Sequence, residues 1–237
     1  MILLGFDVET TGTDKTDRPV QACLMMRSED GDRVLVNELI NPGIPIQDGA
    51  AEVHGIVDAS VQGMPDHVIA AWKYQLLCNT LKETDRVVLV TYNGRSFDVP
   101  MIDRCLGSAV FDVEHIDVLQ FARRFFPLVK GSVSKGGRTL SELYLHFLGR
   151  ELEGAHDASK DVQATLDLLD AMRKKAGMTI DALVKDQRVF KPYTIMPIGK
   201  YAGYAISDVP VSWAQFMNDK DLDGDLRATV DAILGKR

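Results

Sequence analysis

Two carboxylates sit inside the first apolar stretch of this chain, and their placement constrains the fold more than any other feature. Ile2, Leu3, Leu4, Gly5 and Phe6 lead directly into Asp7, Val8 and Glu9, within the run FDVETTG at residues 6–12. Side chains on a strand alternate between its two faces, so Asp7 and Glu9 point the same way. Two acids side by side on a half-buried strand repel each other and lose hydration unless something positive lies between them. The strand is therefore either a solvated edge or one half of a metal site.

The rest of the first 175 residues supplies the partners such a strand needs. Strand-like runs recur at 19–28 and 32–40, joined by EDGD, whose Asp-Gly pair signals a hairpin. Residues 64–83 carry a helical pattern, with Val68, Ala71, Trp72, Leu76 and Leu81 spaced three and four apart. The continuous β-branched run RVVLVTYN at 86–93 reads as a strand buried on both faces. Helical segments at about 97–106, 117–126, 139–148 and 157–174, with a short strand near 113–117, complete an alternation that predicts an α/β fold, a mixed sheet with helices on both faces. The texture changes near residues 175–192, which divides the chain into a domain at 1–178, a linker at 179–192 and a small C-terminal α+β module at 193–237.

Composition excludes several classes. Hydrophobic residues make up 46% and charged residues 26% of the 237 positions, ordinary values for a globular chain. No apolar run approaches the ~18 residues a membrane span needs, and MILLGF lacks the basic start of a signal peptide. Cys23, Cys78 and Cys105 are scattered and odd in number, reading as reduced thiols of a cytoplasmic protein with no membrane partner. The net charge is −7, and residues from Lys191 onward hold six basic and six acidic side chains, so the first 190 residues carry the whole excess. That argues against a generic basic nucleic-acid binder, though not against a nuclease whose acidic site takes up divalent cations.

Four places put acids where a core or a neutral turn is expected: Asp7 with Glu9, Asp98 just past the buried run, Asp117 at a strand-to-helix passage, and HDASKD at 156–161. Taken singly, Asp98 and Asp117 read equally as helix caps, Asp161 as a solvated helix residue and His156 as a surface or capping histidine. Taken together, FDxETTG, then NGxxFD, then HxAxxD resemble the motifs of the DEDDh-type 3′–5′ exonucleases. The resemblance covers roughly residues 1–175 and extends to EVHGI at 52–56, to 116–127 and to 138–149.

What the resemblance implies is specific. The fold is ribonuclease H-like, with a five-stranded mixed sheet. Asp7, Glu9, Asp98 and Asp161 hold two divalent ions, Mg2+ or Mn2+, hard cations that favour carboxylate oxygens. Such a pair activates a water and stabilises the leaving 3′ oxygen, and it relieves the repulsion between Asp7 and Glu9. His156 is the general base, and histidine is the side chain that exchanges protons near neutrality. Thr10, Thr11, Gly12, His54, Asn93 and Phe97 are the expected substrate contacts. For Thr10–Gly12 a plain turn is the competing reading; for His54 it is loop packing, and for Phe97 core packing. Asp117 supports the site without binding metal. The expected reaction releases nucleoside 5′-monophosphates from the 3′ end of single-stranded DNA or RNA, with DNA favoured.

Three further features stay open at this level. Arg123, Arg124, Lys130, Lys135 and Arg138 form an acid-free tract at 121–138 that either tracks a phosphate backbone or is a solvated helix end with its loop. Lys200, Tyr201, Tyr204 and Trp213, near a MPxGKYxG signature, form either a strand-binding face or the core of a short module. Asp219, Asp221 and Asp223 have EF-hand spacing, but the twelfth position is Val230, so a helix cap at Asp223 or Asp225 is the simpler reading. The tail shows no long polymerase-binding segment, which favours a self-standing nuclease over a proofreading or repair subunit of a larger complex; a non-catalytic nucleic-acid-binding protein is the competitor from another class.

Overall fold

The computed structural model describes residues 1–126, 138–220, 222 and 224–236. In chain order the elements are β1 (Ile2–Thr10), β2 (Pro19–Ser28), β3 (Gly31–Leu39), α1 (Asp48–His54), α2 (Asp58–Val61), α3 (His67–Thr84), β4 (Val87–Thr91), α4 (Asp98–Leu106), β5 (Glu114–Asp117), α5 (Val118–Phe125), α6 (Leu140–Leu148), α7 (Ala158–Ala176), α8 (Ile180–Gln187), α9 (Val211–Met217) and α10 (Gly224–Ile233). The strands form one sheet in the order β3-β2-β1-β4-β5. β2 pairs antiparallel with both β1 and β3, while β4 pairs parallel with both β1 and β5, so β1 lies at the centre. This is the expected five-stranded mixed sheet flanked by helices.

The alternation along β1 sorts its side chains into two cores. Ile2, Leu4, Phe6 and Val8 pack with Ala70, Ala71 and Tyr74 of α3 and with Met101 and Ile102 of α4. Leu3 belongs to the opposite cluster, with Phe121 of α5, Val162 and Leu166 of α7, and Leu183 of α8. β4 is divided the same way, Val87 and Leu89 to one side and Val88 and Val90 to the other, which is why its sequence is apolar without alternation. In the β2–β3 hairpin Ser28 pairs with Gly31, so the loop itself is Glu29–Asp30, and Gly31 closes it at φ 110°.

Two sequence readings change. The stripe read along α3 is split: Val68, Trp72 and Leu76 are exposed, while Ala71 is buried, Leu81 packs against the core, and Ala70, Tyr74 and Cys78 complete the face toward the sheet. Both faces fit a helical period. The stretch 179–192, read as a linker, contains α8, whose Ile180, Leu183 and Val184 are buried in the same core as α5 and α7. Beyond it, Tyr193, Met196, Val209 and Leu226 form a separate small cluster that Tyr201 and Trp213 join. Tyr201 meets Tyr204 and Trp213 edge-on at centroid distances of 6.0 and 6.1 Å, so these aromatics build the module's own core.

Candidate active site

β1 pairs with β4 only as far as Gly5 opposite Val90, so Asp7, Val8 and Glu9 extend past the end of that ladder. The chain leaving β4 turns into α4 at this point, and the first residue of α4 is Asp98. Its Oδ1 accepts the backbone N–H of Val8 at 3.2 Å, which fixes a buried carboxylate between Asp7 and Glu9 along the strand.

The face of β1 that carries Leu3 and Gly5 also carries Asp7 and Glu9, and α7 packs against that face. Gly5 makes this approach possible. A Cβ there would lie 2.6 Å from Val162 Cγ1 and 3.1 Å from Leu166 Cδ1. Arg27 of β2 holds the helix from the other edge, donating to Asp167 at 2.6 Å and Asp170 at 3.0 Å. Asp161 lies in the first turn of α7, and its Oδ2 accepts the backbone N–H of His156 at 3.0 Å. His156 adopts φ 68°, a left-handed conformation uncommon for a side-chain-bearing residue. One potential ligand atom each from Glu9, His156 and Asp161 lies within 4.8 Å of the other two.

Negative charge accumulates there, and among the described residues no lysine or arginine is paired with these carboxylates. Burial, followed by Asp98, Asp161 and Glu9, raises the Asp7 carboxyl well above its usual range. Glu9 is pushed up to about 7 by burial and then by Asp161, Asp98 and Asp157. Burial lifts Asp98 to about 7 despite the Val8 N–H, and it raises Asp161 despite the His156 N–H. Asp161 Oδ1 is buried with no hydrogen-bond partner among the described residues. A set of oxygen donors, mutually repelling and including an orphaned buried carboxylate oxygen, fits a hard divalent cation.

Asp117 is a positioning residue. Its side chain caps α5 at the Gln120 N–H (3.1 Å) and also accepts from the Asn93 (3.2 Å) and Arg95 (3.1 Å) backbone N–H groups. It thereby shapes the loop that delivers Asp98. Gln187 of α8 closes this arrangement, donating to the Asp117 carbonyl at 3.0 Å and accepting its N–H at 2.8 Å. Asn93 and Phe97 line a neighbouring cleft of about 670 Å³, and Phe97 also packs against the α3–α4 core.

The side chains of Thr10 and Thr11 are occupied within their own loop. Thr10 donates to the Gly12 carbonyl at 2.7 Å, and the fully buried Thr11 donates to Asp17 Oδ1 at 2.7 Å while accepting the Arg18 N–H. A Cβ at Gly12 would lie 2.3 Å from Gln47 Nε2 and would push that amide away from Asp17. His54 is a brace as well: Ile56 donates to its Nδ1 at 3.0 Å, which leaves Nε2–H to donate to the Thr10 carbonyl at 3.1 Å.

The basic tract is not a uniform solvated run. Arg124, its side chain 7% exposed, makes a bidentate pair with Asp225 at 2.7 and 2.6 Å and a further bond to Asp186 at 2.6 Å. Arg138 is buried and bonds the Phe126 carbonyl. Lys130 and Lys135 lie outside the described residues. Asp225, offered by the sequence as a helix cap, instead clamps Arg124; Asp221 and Asp223 also lie outside the described residues. Sequence reasoning missed Gly5, Asp157 and Gln187. For Gly5 the signal was a glycine inside an apolar strand.

A mixed α/β sheet with an acidic, charge-uncompensated cluster at the end of its central strand defines a metal-dependent nuclease architecture. The chain belongs to the exonuclease family, whose model, described as "Exonuclease", matches residues 4–169. It is 31% identical over 182 residues to a DNA polymerase III PolC-type of Lacticaseibacillus paracasei, an alignment covering 73% of this chain and 12% of that protein. It is 30% identical over 209 residues to a DNA polymerase III subunit epsilon-like protein of Rhodobacter capsulatus, covering 77% of this chain and 26% of the relative. The chain thus spans only a minor part of these relatives. Among solved structures it resembles E. coli exonuclease I in complex with single-stranded DNA, with TM-score 0.58 and 21% identity over 78% of this chain and 42% of that one. Exonuclease X bound to duplex DNA with a 5′ overhang matches with TM-score 0.54 and 20% identity over 77% of this chain and 98% of that one.

Proposed function

We propose that this protein is a 3′–5′ exonuclease that removes nucleoside 5′-monophosphates from the 3′ end of single-stranded DNA. The observation that carries the reading is the convergence of Asp7, Glu9, Asp98 and Asp161 from three distant segments, with raised carboxyl pKa values and an orphaned Asp161 Oδ1. Two divalent ions, Mg2+ or Mn2+, held by these carboxylates would supply the charge that activates a water and stabilises the leaving oxygen. Asp161, fixed by the His156 N–H, has a ligand oxygen within 4.8 Å of Glu9, while Asp98, fixed by the Val8 N–H, adds its charge to that of Asp7 and Glu9. His156, exposed beside them, takes the proton of the attacking water through its imidazole. DNA as substrate draws support from the neighbours, whose titles name single-stranded and 5′-overhanging duplex DNA.

A second reading, a proofreading exonuclease working inside a larger replication assembly, is favoured by the PolC-type and epsilon-like relatives. One experiment tests the main reading. A time course on 5′-labelled single-stranded DNA and RNA of one sequence is run in Mg2+, Mn2+ and EDTA, with Asp7→Ala as control. The expected outcome is a metal-dependent ladder shortening from the 3′ end, faster on DNA and absent in the variant. No cleavage by folded, metal-binding protein would overturn a self-standing exonuclease and leave the assembly reading.

A further inference from the structure

The cleft of about 670 Å³ begins at Phe97, the residue before Asp98, and ends against the C-terminal segment. On the domain side it is lined by Arg95, Arg104, Arg123 and Lys15. Its acids are Asp14 and Asp117, and Asp117 is buried and holds three backbone N–H groups. This concentration of cations stands out in a chain of net charge −7.

The opposite wall includes Phe190, which is 56% exposed. Its ring lies on the bare backbone of Gly224, where an added Cβ would fall 2.2 Å from Phe190 Cδ1. One side of the ring is thus supported while much of its surface stays open to a cationic cleft. Isolated exposed aromatics need no explanation, but one seated on a glycine and lining the same cleft as three arginines has the features of a base-stacking platform. The segment bearing it is locked to the domain by the buried Arg124–Asp225 pair, so the platform is rigid relative to α5.

We infer that this cleft binds the single strand on the 5′ side of the scissile phosphate, with a base stacked on Phe190 and a phosphate paired with Arg104. The inference rests on the exonuclease reading for its direction: the terminal nucleotide belongs at the Thr10–Gly12 and His54 end, and the cleft opens at the Asp98 end. The C-terminal segment then forms part of the substrate site.

The test is fluorescence anisotropy of a labelled twelve-nucleotide thymidine strand in EDTA, where it is not cut. Phe190→Ala is expected to weaken binding about tenfold. Arg104→Ala should weaken it about threefold and reduce the salt dependence by about one ion. Phe190→Trp should keep the affinity, and its added emission should be quenched by the strand. Binding of Phe190→Ala within twofold of wild type, together with no quenching in Phe190→Trp, would overturn the inference. Turnover of a small p-nitrophenyl ester of thymidine 5′-monophosphate in Mn2+ should be unchanged in Phe190→Ala; an equal loss there would also overturn it, because the residue would then be acting on the reaction centre. If wild-type protein cuts neither strand nor ester, the exonuclease reading fails, while the binding comparison still decides the cleft.

Discussion

Two buried acidic clusters among the described residues are built on opposite principles. Around Arg124, the carboxylates of Asp186 and the fully buried Asp225 meet a guanidinium in short, directed pairs. Burial acts to raise Asp186, but Lys191 and Arg124 outweigh it and hold the carboxyl below its ordinary value. At the end of β1, Asp7, Glu9, Asp98 and Asp161 have no such partner among the described residues, and all four are raised. A cluster neutralised from within the chain is a structural joint, here between α5 and the C-terminal segment. A cluster left uncompensated is kept at a cost to the fold, and that cost is recovered when a cation binds.

The difference can be broken most sharply at the acids themselves. Asp7→Ala should lower exonuclease activity by about ten-thousandfold or more while leaving the metal-free protein as stable as wild type, or more stable, in thermal denaturation. Loss of fold in this variant would show that the cluster is structural. His156→Ala should lose about a hundredfold to a thousandfold in kcat yet retain the thermal shift on adding Mn2+, because the carboxylates remain. The mirror experiment is Asp225→Ala, which removes the bidentate partner of a buried guanidinium and leaves it only Asp186 and two carbonyls; it should destabilise the protein by about 3 kcal/mol in urea titration. A loss below about 1 kcal/mol would place Arg124 with weak surface pairs instead.

Smaller effects sharpen the contrast. Neutral Glu9 and Asp98 are favoured in the fold, so the stability they contribute is complete below about pH 4 and is lost as pH rises through about 7. The Tm of the metal-free protein should therefore fall by about 5 °C between pH 5 and 8, less in Asp98→Asn, and Mg2+ should restore it at pH 8 but not at pH 5. Gly5→Ala should cost about 1–3 kcal/mol, since the new Cβ meets Val162 and displaces α7. Activity should fall with it as Asp161 moves away from Glu9, and an unchanged specific activity would show that α7 accommodates the methyl locally.

Much of this was legible in the order of residues. The alternation of Leu3, Gly5, Asp7 and Glu9 against Ile2, Leu4, Phe6 and Val8 is a local property of a strand, and the continuous run in β4 reports burial on both faces. The three acidic motifs were visible because carboxylates interrupt apolar patterns. The α3 face was not legible, since Val68, Trp72 and Leu76 match a helical period as well as Ala70, Tyr74 and Cys78 do. Period identifies a helix; it does not say which side the sheet will meet.

By itself, then, the sequence determined the strands and most helices, the mixed sheet and the identity of the acids, because these depend on periodicity and residue type over a few neighbours. Only the tertiary structure decided which charges would be balanced. Arg124 reads in sequence as part of an open basic tract, and its partners Asp186 and Asp225 lie 62 and 101 positions away. Asp161 finds Glu9 only because Gly5 lets α7 close on β1. Compensation between charges is a matter of distance in space, which chain position does not encode.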